Sequence, residues 1–199
     1  MNSELLARLA DVLEYPAGDL GEQCTTLSRL LEADRPGAAH VMEDFGEAIE
    51  ALPPSRLEEI YAATFDVNPV CCLYVGYHLF GESYKRGAFM ANLNSEYRKR
   101  GFEPGNELPD HLPVVLRYLA TLDDPEQRSA VLEEAVLPAI AKIAKGFEHT
   151  DNVFGKLVQL VLLTLETPGY LAPKDDSRAL PVLGPVEHTS REWNDGKHF

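Results

Sequence analysis

The stretch Asp66-Val67-Asn68-Pro69-Val70-Cys71-Cys72-Leu73-Tyr74-Val75-Gly76-Tyr77-His78-Leu79-Phe80-Gly81 decides the fold class of this chain. It is rich in aromatic and β-branched residues and reads locally as a strand. No second strand-like run exists elsewhere to pair with it, and an isolated strand has nowhere to place its backbone hydrogen bonds. The consistent reading is a short buried helix, and with it an all-α protein.

The flanking sequence has helical period throughout. On the N-terminal side, Leu5, Leu9, Val12 and Leu13 form one stripe, with Ser3 as the expected N-cap and Pro16 as the stop. Residues 20–33 and 38–52 read as two more helices. A fourth begins after Pro53-Pro54, where Ser55 and Glu58 have capping-box spacing, and runs to about Thr64. On the C-terminal side, 82–100 reads as a longer helix with Met90, Leu93 and Tyr97 on one face. Its Arg98, Lys99 and Arg100 complement the helix dipole. Leu112, Val115, Leu116, Leu119 and Leu122 mark a strongly amphipathic helix. The stripe from Leu132 to Phe147 is expected to bend or split at Pro138. Residues 152–166 are apolar nearly all round and belong at the centre of the bundle. The expectation is one helical domain over 1–166, of about seven to nine helices. An irregular, Pro-containing tail follows over 167–199, extended, peripheral or partly disordered.

Composition bounds the function. A hydrophobic content of 45% with 25% charged residues is that of a soluble globular protein. The formal net charge of −14 disfavours nucleic acid, whose binding needs Lys and Arg on phosphates. Such a charge favours cationic partners, or serves solubility alone. Three cysteines, two of them adjacent, do not make a disulfide framework and point to a reducing compartment. Glu4, Arg8 and Asp11 interrupt the N-terminal apolar stripe, so it does not read as a signal peptide. The most apolar segment, 157–165, is far short of the roughly 20 residues that span a bilayer. A cytoplasmic protein without stable membrane insertion is expected.

The familiar catalytic signatures are missing: no phosphate-binding glycine loop, no Gly-x-Ser-x-Gly elbow and no His-Glu-x-x-His. Cys71, Cys72 and His78 have poor spacing for a zinc site, which separates its thiolates by two to four residues; buried structural thiols fit better. The most unusual element is Glu107-Leu108-Pro109-Asp110-His111-Leu112-Pro113, where a loop becomes the amphipathic helix. Two readings fit it. Asp110 caps the helix, with Pro113 in the first turn; or Glu107, Asp110 and His111 gather two carboxylates and an imidazole for a guanidinium. Acid–base catalysis by Asp110 and His111 is a third use, without a nucleophile or metal set to accompany it. Leu73, Tyr77 and Phe80, at i, i+4 and i+7, describe either a core-facing helix or the lining of a groove.

Together, Tyr61-Ala62-Ala63-Thr64-Phe65-Asp66, Leu73-Tyr74, Tyr77-His78-Leu79-Phe80-Gly81-Glu82-Ser83, Arg86-Gly87, Tyr97 and the Glu107–Pro113 element resemble the NarJ branch of the TorD/DmsD/NarJ family of molybdoenzyme maturation chaperones. The likeness is strongest from about Tyr61 to Leu122. It implies a noncatalytic helical protein that holds the apo catalytic subunit of a DMSO-reductase-type enzyme by its N-terminal segment, often a twin-arginine leader. It also implies assistance in inserting bis-molybdopterin guanine dinucleotide, with no cofactor bound stably by the chaperone itself. By motif match, the peptide-binding residues are Glu107, Asp110 and His111, beside Leu73, Tyr74, Tyr77 and Phe80. Asp110 and Glu107 are expected to receive the cationic end of the peptide, and the aromatic side chains its apolar end. The TorD and DmsD branches carry tryptophans in this region, whereas the sole tryptophan here is Trp193. An acidic helical adaptor, or a stable subunit of an oxidoreductase complex, is the alternative.

Overall fold

Proline sets where half of the helices begin. In the computed structural model, which describes residues 2–16 and 18–166, the ten α-helices are α1 (Ser3–Asp11), α2 (Leu20–Glu32), α3 (Pro36–Glu50), α4 (Pro54–Tyr61), α5 (Val75–Phe80), α6 (Tyr84–Lys99), α7 (Leu112–Ala120), α8 (Pro125–Val131), α9 (Leu137–Lys145) and α10 (Val153–Leu165). Pro36, Pro54, Pro113, Pro125 and Pro138 occupy the first or second helical position of α3, α4, α7, α8 and α9. At the free starts of α3, α4, α7 and α8 the missing N–H costs nothing, and the fixed φ already suits the helix.

Two π-helical turns extend α-helices. Ala62–Asp66 continues α4, so the fourth helix passes beyond Thr64. Leu132–Val136 joins α8 to α9 immediately before Pro138. The widened turn answers the expectation of a bend at Pro138: it absorbs the lost hydrogen bond without breaking the rod. Counted as rods, the described residues form nine helices, in keeping with the sequence reading of an all-α domain. The tail expected over 167–199 lies outside the described residues.

Several caps differ from expectation. Asn2, not Ser3, caps α1, its Oδ1 accepting from Glu4 N at 2.9 Å. The capping box at Ser55 does not form. Pro54 starts the helix one residue earlier, so Ser55 is already helical, and Pro53 is the N-cap without a side-chain bond. The helix expected from residue 82 starts at Tyr84, because Gly81, at φ +64°, turns the chain between α5 and α6.

The core is one contiguous apolar cluster. In it α2 packs on α3, α1 on α7, α10 on α3 and α9, and α5 on α6 and α9. In α7, Leu112, Val115, Leu116 and Leu119 are fully sequestered, each adding about 1.5–3 kcal/mol of apolar burial. Tyr61, Phe65, Phe147 and Phe154 interlock edge to face, and Tyr61 donates its hydroxyl to Leu13 O at 2.9 Å. The Tyr61-x-x-x-Phe65 spacing therefore serves packing.

Candidate functional site

The stretch that decided the fold class is only partly helical, and its other part builds the site. Val75–Phe80 is the short helix expected, whereas Leu73-Tyr74 is extended. Its backbone partner is the motif turn: Tyr74 and His111 form an antiparallel bridge, Leu112 N donates to Leu73 O at 2.7 Å and Val75 N donates to Asp110 O at 2.8 Å. A two-residue clasp thus joins segments nearly forty positions apart in the chain and satisfies the hydrogen bonds that argued against a strand. Tyr97 secures the turn from α6 by donating its hydroxyl to Pro109 O at 2.8 Å.

Asp110 is the centre of this clasp, and it is not a helix cap. The N-cap of α7 is His111, without a side-chain bond. The Asp110 carboxylate is wholly buried and held by Arg86, with Nε at 2.8 Å from Oδ2 and Nη2 at 3.3 Å from Oδ1. This fork-to-fork pair is a strong charge-assisted contact, and it holds the Arg86 guanidinium above its already high pKa. The expectation that Asp110 meets a partner's cation is corrected here: its carboxylate already has an internal guanidinium. The Arg86 guanidinium also lies 5.2 Å from the Tyr74 ring centroid and 5.9 Å from that of Tyr77, in cation–π range. Gly76 makes the approach possible, since a Cβ there would lie 2.7 Å from Asp110 Oδ2 and 2.8 Å from the Phe89 ring.

The other expected residues divide by exposure. Leu73 is 2% exposed and belongs to the core, which answers the open choice for that position and removes it from any groove lining. Tyr74, Tyr77 and Phe80 are half-buried, and Glu107 is exposed. His111 is 8% exposed, tilted against Tyr74 with ring centroids 5.4 Å apart, and its Nδ1 is buried without a hydrogen-bond partner. Burial lowers its pKa, which keeps the imidazole neutral near pH 7. Burial, followed by the charges of Glu107, Asp110 and Asp66, pushes the Tyr74 hydroxyl up. Asp66 and Glu107 thus lie within electrostatic range of Tyr74, and neither makes an ion pair among the described residues. Glu14, the next carboxylate in electrostatic range of His111, is taken by Arg117, which also pairs with Asp11 at 3.1 Å. The resulting surface is aromatic, anionic and backed by a rigid clasp.

The thiols are structural. Cys71 and Cys72 are buried, and burial raises both pKa values. His78 holds the extended segment by its Nε2, 2.7 Å from Cys72 O. No cluster of three metal-ligating side chains occurs among the described residues, and no helix among them is long and apolar enough to cross a membrane. The role of Arg86 as the partner of Asp110 was not legible in the sequence, where Arg86 stood out only in the Arg86-Gly87 element. The available signal was weak: a glycine at 76 and an arginine ten positions later reveal a shared carboxylate only once folded.

The family pattern described as "Nitrate reductase delta subunit" matches residues 19–153. The chain belongs to the nitrate reductase delta subunit family. It is 32% identical over 126 residues, covering 63% of this chain and 67% of the relative, to a Bacillus subtilis (strain 168) protein named "Probable nitrate reductase molybdenum cofactor assembly chaperone NarJ". It is 26% identical over 166 residues, covering 81% and 70%, to the nitrate reductase molybdenum cofactor assembly chaperone NarJ of Escherichia coli (strain K12). The fold matches the crystal structure of a candidate redox enzyme maturation protein from Archaeoglobus fulgidus, with a TM-score of 0.58 at 20% identity over 83% of this chain and 94% of that one. The family membership expected from the sequence is met. Both named relatives carry the names of assembly chaperones.

Proposed function

We propose that this delta-subunit family member is a maturation chaperone. It holds the apo catalytic subunit of a nitrate-reductase-type molybdoenzyme, of the DMSO-reductase class, by a cationic N-terminal segment. In doing so it assists insertion of the molybdenum cofactor, bis-molybdopterin guanine dinucleotide, before assembly or export is complete. The reading is carried by one observation: the buried Asp110–Arg86 pair locks the turn while exposed Glu107 and Asp66 stay outside it, without an ion pair among the described residues and within electrostatic range of half-buried Tyr74. Free carboxylates beside an aromatic face suit an arginine, by charge pairing and by stacking. Tyr77 and Phe80 continue that face with apolar surface for the segment that follows the cation, as helix-in-groove recognition requires. In this reading Asp110 and His111 position the surface, while Glu107, Tyr74, Tyr77 and Phe80 touch the peptide. A twin-arginine leader has the right chemistry.

Calorimetric titration of the full chain with a synthetic peptide of the N-terminal segment of the catalytic subunit from the same organism tests the site. Glu107→Lys and Tyr77→Ala are each expected to weaken binding about tenfold, equivalent to ~1.4 kcal/mol. Unchanged affinity in both variants removes this surface from the proposal. The chaperone role is tested separately by deleting the gene: a fully metallated, active reductase from the deletion strain overturns it. Stoichiometric recovery of this chain in the mature enzyme would instead establish the stable-subunit reading.

A further inference from the structure

A groove of about 1270 Å³ runs between α3 and α10, closed at one end by the turn that follows α9. It shares no residue with the clasp. Along α10 its lining extends from Val153 to Glu166, roughly 20 Å at the helical rise. Val153, Lys156, Leu160 and Leu163 recur there at spacings of three and four, and Ala38, Val41 and Ala48 line it from α3. Both helices turn their main apolar stripes to the core, so these residues form a second, shallower stripe. Leu163 is 56% exposed within it. The helix expected at the centre of the bundle is thus covered on most sides and open on this one.

We infer that this groove is the docking site of a cationic amphipathic helix from another protein. Its size points to a peptide: the volume exceeds the roughly 300–1,000 Å³ of pockets that enclose small molecules, and the length matches a helix of about fourteen residues. The floor decides the backbone of the occupant. Along it, α3 and α10 spend their N–H and C=O groups within themselves, so the groove offers no strand edge, and an extended segment would carry unsatisfied backbone into apolar surroundings. A helix brings its own backbone hydrogen bonds and needs only an apolar stripe to set against Val41, Val153 and Leu163. Gly37, Ala38, Ala48, Ala144 and Gly155 put little side chain in its way, which lets a third helix axis approach closely. The rim decides the charge. Asp34, Asp44, Glu148, Asp151 and Glu166 outnumber Arg35 and Lys156, and Asp34, Glu148, Asp151 and Glu166 make no ion pair among the described residues. Lysine or arginine flanking the occupant's apolar stripe pairs with them. A second copy of this chain fits poorly, because both copies bring the same acidic rim and a formal net charge of −14.

Titration of the isotope-labelled full-length protein with a synthetic helix of about fourteen residues, followed by amide NMR, tests this. The probe carries leucines spaced three and four apart with lysines on the flanks, and a counterpart has glutamate for each lysine. The lysine peptide is expected to bind with a Kd below about 0.1 mM, and the glutamate peptide at least about tenfold more weakly. The amides that shift are those of α3, α10 and the turn at 146–152. Leu163→Gln with Ala48→Gln alters two exposed groove residues at constant charge. It should weaken the lysine peptide at least about tenfold while the far-UV circular dichroism stays helical. Glu148→Gln with Asp151→Asn should weaken it at least about threefold. Absence of binding to the unaltered chain overturns the inference, as do equal affinities for the two peptides or an affinity that survives either double variant. Shifts centred on residues 74–80 and 107–112 overturn it by giving the probe to the clasp surface. Dimerisation of the unaltered chain that Leu163→Gln with Ala48→Gln abolishes overturns it too, by assigning the groove to a second copy.

Discussion

The clasp around Asp110 and the α3–α10 side of the bundle are held together by opposite means. At the clasp, a few directional contacts do the work: one buried ion pair, two cross-chain backbone hydrogen bonds and the Tyr97 hydroxyl. Between α3 and α10 the contact is dispersed apolar burial, with Met42, Phe45, Ile49, Leu157 and Val161 each contributing a share. The first arrangement fixes geometry and fails abruptly when one member is lost. The second tolerates local change and leaves room for a groove. A surface that must present side chains in register suits the first.

The largest expected effect comes from breaking the ion pair. Asp110→Ala leaves the Arg86 guanidinium, 17% exposed, without its partner, and should cost about 3–5 kcal/mol. Urea unfolding measures this, and a loss below about 1 kcal/mol would show that the clasp is not the keystone argued above.

A smaller effect separates the regions by pH. Burial lowers the pKa of His111 and of His78, both at the clasp. Below about pH 6.5 the unfolded chain takes up protons that the folded chain refuses, so stability declines on acidification by up to about 1.4 kcal/mol per pH unit for each group. His111→Gln should flatten this slope between about pH 7 and about pH 5. An unaltered slope in the variant would mean that His111 titrates alike in both states.

The smallest effect belongs to the other region. Asn152 caps α10, its Oδ1 accepting from Phe154 N at 3.0 Å, while its Nδ2 donates to Thr64 Oγ1 at 2.7 Å. Asn152→Ala should cost about 1 kcal/mol. A loss equal to that of Asp110→Ala would erase the contrast between a directional and a dispersed region.

Much of the bundle is readable from the sequence because helices declare themselves locally. The stripes of Leu5 to Leu13 and Leu112 to Leu122 mark buried faces by spacing alone, and proline marks the starts of helices. Caps are less readable where two residues compete, as when Pro54 moves the start of α4 ahead of Ser55. The site was half visible. Its residues stood out as a motif, but whether each carboxylate faced water was not written in their order. Glu107 and Asp110 are three positions apart, and one is exposed while the other is sealed against Arg86.

The sequence by itself determined an acidic, all-helical chain and the place of its unusual turn, because composition and periodicity are properties of neighbours along the chain. Only the tertiary structure decided that Leu73-Tyr74 is extended, that Arg86 closes on Asp110 and that Leu163 faces a groove. Burial and pairing are set by which distant segments meet, and an ionisable or apolar side chain acquires its role only when those neighbours replace water.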